Sequence, residues 1–103
     1  MLRVFLTIDT ELWPAVPGWP VNSLPVRPAR LEEETRGYIY GRTPQGDFGI
    51  GHQMDVLDRH GLKAVFFVES LFAGVAGIES LADTVTSIVR RGHEVGLHPH
   101  TEW

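Results

Sequence analysis

Two rhythms of apolar positions organise the chain. Ile50, Met54 and Leu57 recur at i, i+4 and i+7, one stripe of a helix. Leu81, Val85 and Ile88 repeat that spacing 31 residues later (81 − 50). Between and around these stripes lie three short β-prone runs, at residues 2–8, 64–68 and 94–97. The first is apolar on both faces apart from Arg3 and Thr7, and the second, AVFFV, is apolar throughout. Strands apolar on both faces belong in a buried parallel sheet.

The two helix-to-strand joints echo each other, as RHGLKAVFF and RRGHEVGLH. Gly61 and Gly92 are 31 residues apart (92 − 61), the length of one β-α unit, and each is placed to end its helix as a C-terminal cap. Ser80 and Asp83 could cap the start of the second helix, and Arg90 and Arg91 sit favourably against its dipole. The predicted order is β-α-β-α-β with three parallel strands, an α/β fold.

Residues from about 12 to 48 break this pattern. The stretch holds six of the seven prolines and four glycines, and reads as a Pro-rich insertion, a lid or binding loop. Within it ARLEEETRG could form a helical turn, YIYG could pair as a short strand, and further on SLFAGVAG reads as a loop or short helix.

Composition narrows the function. At 43% hydrophobic and 21% charged residues, the 103-residue chain has the make-up of a folded domain. A net charge of −4 with no Lys/Arg block argues against nucleic acid as a partner. The absence of cysteine excludes disulfides, zinc–thiolate sites and cysteine nucleophiles. The apolar run in MLRVFLTIDT is too short for a signal-peptide core or a membrane span, so the expectation is a cytoplasmic protein with no membrane partner. Trp103 follows the richest cluster of the sequence with no closing element, so residues 1–103 read as the N-terminal portion of a longer domain.

The candidate chemistry lies after the predicted strands. Asp9 and Glu11 follow the first, Glu69 ends the second and His98 ends the third. In parallel α/β folds these positions gather at one edge, where active sites form. Asp9 and Glu11 are two residues apart and face one side of an extended chain. One carboxylate can then bind a cation while the other handles protons. His98 and His100 share a side if the backbone is extended at Pro99, whereas His98 and Glu102 share a face if it turns helically. A carboxylate with two imidazoles suits Zn²⁺ or another divalent ion such as Co²⁺, Mn²⁺ or Ni²⁺. Glu69 reads as structural, and His52, His60 and His93 as residues tolerated in turns or helix ends. Trp103 is equally a core residue or the wall of a substrate groove.

These residues resemble the polysaccharide deacetylases with the NodB homology domain. LTIDTEL is similar to that family's first motif, a strand running into an acid pair, and RGHEVGLHPHTEW to its second, in which Gly-His-Glu-apolar-Gly precedes a metal-binding histidine. HGLKAVFFV resembles the strand between them. The resemblance covers both ends and the middle of the chain and leaves out the Pro-rich insertion. It implies a distorted seven-stranded β/α barrel about twice this length, of which this chain would be a part. It also implies Asp9 as catalytic base, with Glu11 and His98 as metal ligands. The family's second histidine falls four residues on, where this chain has Glu102; His100 replaces it, Glu102 ligates in its place, or the site is altered. The Arg that orients the base and the His that acts as general acid are not located in this chain, so it is expected to be inactive alone.

The resemblance implies removal of acetyl groups from N-acetylated sugars by water activated at the metal, with Asp9 taking the proton and Trp103 against the acetylated carbohydrate. Two alternatives stand beside it: a cyclic-amide hydrolase on the same scaffold, and an inactive domain that binds carbohydrate or a partner, which Glu102 in place of histidine favours. A flavodoxin-like domain lacks its Gly-rich phosphate loop after the first strand.

Overall fold

The computed structural model describes residues 1–12, 33, 35–70 and 73–99. Its frame is a parallel sheet of three strands, β1 (Thr7–Thr10), β4 (Val65–Val68) and β5 (Glu94–Leu97), in the order β1-β4-β5. Helix α1 (Ile50–Arg59) leads into β4; a short α2 (Ala73–Ala76) and then α3 (Ile78–Arg90) lead into β5. The strands β2 (Arg42–Thr43) and β3 (Gly46–Asp47) form a separate antiparallel hairpin before α1. The expected β-α-β-α-β order and parallel pairing are present. No sheet closes among the described residues, so the fold stands as a three-stranded α/β sheet.

The helices pack where their stripes direct them. Ile50, Met54 and Leu57 are buried on α1, and Ile88 on α3, against Phe66 and Val68 of β4; Leu81 and Val85 are partly buried on the same core. Ile8 also packs against it. The other sheet face carries Asp9, Phe67 and Gly96 in one row. A Cβ at Gly96 would meet the Phe67 ring at 2.6 Å, so the missing side chain is what lets that ring lie over β5.

Both helices end in the same way. Gly61 and Gly92 adopt left-handed backbone conformations, φ 64° and 73°. The residue after each returns a bond to the last turn, Leu62 N–H to Leu57 O at 2.9 Å and His93 N–H to Ile88 O at 3.3 Å. The glycines themselves donate to Asp58 O and Val89 O. These are paired Schellman caps, and they explain the echo in the sequence.

Two expectations shift. The first strand covers Thr7–Thr10, not residues 2–8, and Leu2, Val4 and Phe5 are exposed. Among the described residues β1 pairs with β4 alone, and that ladder begins where Val65 N–H reaches Leu6 O at 2.9 Å. Asp9 therefore lies inside the strand rather than beyond it. Ser80 and Asp83 do not cap α3: the helix starts earlier, at Gly77, with no side-chain cap, because a left-handed Gly77 (φ 88°) turns the chain out of α2 directly into it.

Within the Pro-rich stretch, residues 35–48 hold regular structure, in keeping with the helical turn expected in ARLEEETRG and the pairing expected of YIYG. Residues 35–38 are helical. Residues 39–41 then run against 48–50 through Phe48 N–H to Gly41 O, Gly49 N–H to Tyr40 O and Ile50 N–H to Ile39 O, each 3.0 Å. Gly41 and Gly49 cross in backbone contact, leaving no room for a side chain on either. YIYG thus supplies one side of that crossing. Among the described residues, no helix is long and apolar enough to cross a membrane.

Candidate functional site

The sheet ends in a row of chemistry. Thr10, Val68 and Leu97 are register partners across the three strands. The ladder runs one residue further, through Glu69 N–H to Thr10 O and His98 N–H to Val68 O, both 3.0 Å. Glu11, Glu69 and His98 therefore occupy the next row, at the carboxyl edge, with Asp9 one row below on β1. Residues almost ninety positions apart meet because parallel strands bring their carboxyl ends to one side.

His98 reaches across the end of β4 to both acids of β1. Its Nε2 lies 3.3 Å from Glu11 Oε2, and its Nδ1 lies 3.9 Å from Asp9 Oδ1. The second separation is too long for a hydrogen bond and acts through charge. Each ring nitrogen thus faces one carboxylate. The His98 side chain is 24% exposed and that of Asp9 61%, so the imidazole is sheltered while the outer acid stays in water.

The donor set can be tested against a cation. Two ligands each about 2.0–2.1 Å from a tetrahedral zinc stand about 3.3–3.4 Å apart. Glu11 Oε2 and His98 Nε2 match that spacing, and a carboxylate oxygen with an imidazole nitrogen suits a borderline ion. Nδ1 would then carry the ring proton towards Asp9, the carboxylate–histidine arrangement that orients metal-bound imidazoles. Among the described residues, no group of three His, Cys, Asp or Glu is arranged to hold a metal ion. The described part of the site is a pair of donors with Asp9 behind it. His100, Glu102 and Trp103 lie outside the described residues.

Two residues outside the candidate set are buried. Glu69, read as structural, is fully buried in the middle of the carboxyl-edge row. A carboxylate is kept dry only where it is partnered, so Glu69 is a packed residue of this row, as a structural role implies. The available signal was an acid directly after AVFFV, the same placement that drew attention to the acids after the first run. His93, read as tolerated in a turn, has a side chain with no exposure at all. Burial pushes its imidazole below the ordinary range; Lys63 and Arg91 push the same way, while Asp58 opposes them.

A cleft of about 350 Å³ opens between the hairpin and the start of α1, lined by Arg36, Tyr40, Arg42, Asp47, Gly51 and His52, and none of the carboxyl-edge row borders it. Compared with models of known families, with curated proteins and with solved structures, the chain matches none.

Proposed function

We propose that this chain carries the base and the cation-binding half of a metal-dependent hydrolase that removes acetyl groups from N-acetylated sugars. The observation that supports the reading is the meeting of Asp9, Glu11 and His98 at one edge of the sheet. Glu11 and His98 would hold a divalent ion, Zn²⁺ first among them, with His100 or Glu102 as a further ligand. The ion would supply Lewis acidity towards the amide carbonyl and a more acidic water.

The remaining steps belong to the side chains. Asp9, largely in solvent, takes the proton of the attacking water. Glu11 stands on the same side of β1 as Asp9, two residues on, so cation binding and proton transfer fall to separate carboxylates. Trp103 would lie against the sugar.

The cation is the first test. Titration of the chain with Zn²⁺ at neutral pH should show one site, lost in His98→Gln; a chain that takes up no divalent ion overturns the reading. Acetate release from N-acetylglucosamine oligomers by the full-length protein, compared with opening of cyclic ureides, then separates deacetylase from cyclic-amide hydrolase. Glu102, standing where the resembled family has its second histidine, favours one other reading, a carbohydrate- or partner-binding domain. Such a domain would purify free of metal and still bind its ligand.

A further inference from the structure

The joint between α3 and β5 does more than end a helix. Its residue His93 turns inward, and its ring stands edge-on to Phe66 with centroids 5.5 Å apart at 70°. Ala64 N–H, immediately before β4, donates to His93 Nδ1 at 3.3 Å. The carbonyl of the same Ala64 accepts from Glu94 N–H at 3.0 Å. Two consecutive residues at the start of β5 therefore grip both polar groups of one residue at the start of β4.

We propose that His93 is a positioning residue: it registers β5 on β4 and so delivers His98 to Glu11. β5 has only four residues, and His98 follows the last of them. A slip of one residue would turn every β5 side chain to the opposite face, taking His98 away from the acids. Burial adds little resistance to a slip, since Glu94, Val95 and Leu97 are exposed, which leaves the Phe67 ring over Gly96 and the contacts at the strand's start to hold the register. The clamp on Ala64 does fix it, and only one acceptor at that place completes it.

The geometry also sets the tautomer. Nδ1 accepts, so the ring proton sits on Nε2, which faces Asp58 Oδ1 at 3.5 Å, close enough for charge but too long for a strong hydrogen bond. Asp58 is itself held by Arg91 and Lys63, so α1, the Lys63 turn and the end of α3 all present charge to this ring. The bearing on catalysis rests on the function proposed above; the clamp does not.

Amide hydrogen exchange on the full chain, without metal or substrate, tests it. His93→Leu keeps bulk but has no acceptor; His93→Asn places an oxygen where Nδ1 was. The leucine variant should lose about tenfold protection at Ala64, Glu94 and His98 while Met54 of α1 keeps its own, and the asparagine variant should restore it. Unchanged protection at Glu94 and His98 in His93→Leu overturns the proposal, and so does an asparagine variant no better than leucine. Should the leucine variant not fold, the wild type still decides: scalar coupling between the Ala64 amide nitrogen and His93 Nδ1 supports the clamp, and a ring protonated at Nδ1 at neutral pH overturns it. Loss of zinc binding or hydrolysis with the exchange pattern intact would count against the proposed function alone.

Discussion

The two edges of the sheet arrange their ionisable side chains differently. At the amino edge, Arg91 closes on Asp58 at 2.7 and 3.1 Å and on Asp55 at 2.8 Å. Lys63 bridges Asp58 at 3.2 Å and the Arg91 carbonyl at 2.9 Å, and Arg91 also reaches Gly51 O. The Arg91 hydrogen bond, then that of Lys63, holds the Asp58 carboxyl below its usual range. At the carboxyl edge, Glu11, Asp9 and His98 stop at 3.3 and 3.9 Å. A closed set of charges fastens elements together. At the carboxyl edge one imidazole stands between two carboxylates, and under the proposed function that is where an ion would be held.

The comparison breaks most visibly at Asp9. In the full-length protein, Asp9→Asn should lower acetate release by about a hundred- to ten-thousandfold, the range for loss of a general base, with an unchanged melting temperature because the side chain is mostly in solvent. A rate near wild type would remove Asp9 from the mechanism. Next, Glu11→Gln should weaken Zn²⁺ binding by at least about tenfold in calorimetric titration, whereas Asp58→Asn at the other edge should leave it untouched. Equal losses in the two variants would erase the distinction between the edges.

A smaller effect is expected between them. Gly96→Ala forces the Phe67 ring aside and should cost about 1–3 kcal/mol by denaturant unfolding. A neutral result would mean that the ring relocates freely. The smallest effect comes from acid. His93 binds a proton less readily when folded than when unfolded. Its contribution to stability is complete above the unfolded value near pH 6.5 and is lost as pH falls through the lowered folded value. Melting temperature should therefore decline on acidification below about pH 6.5, and the decline should be shallower in His93→Asn. An identical slope in the two proteins would exclude His93 as its source.

Much of the frame was legible before the fold. The i, i+4, i+7 stripes identified both helices, because helix period and core contact are one constraint. The echo of Gly61 and Gly92 identified two caps, because only glycine takes that backbone conformation without strain. The acids and His98 could be brought together from strand order alone. The start of β1 could not be placed, because apolar residues 2–6 look like strand and only the extent of β4 decides where pairing begins. The crossing that ends residues 35–48 was hidden by its glycines, which read as looseness until Gly41 and Gly49 are seen to touch. His93 was missed because its partner is a main-chain amide twenty-nine residues away, which no side-chain pattern records.

That crossing of Gly41 over Gly49 has a practical sequel. Three main-chain bonds on its inner side moor the hairpin, while Pro44 and Gln45 at its tip stand clear in solvent. A tag or fluorophore inserted between those two would ride on a stiff stalk at the mouth of α1 and leave the sheet undisturbed. The same cargo spliced a few residues to either side would meet the glycines and pry the stalk from its base.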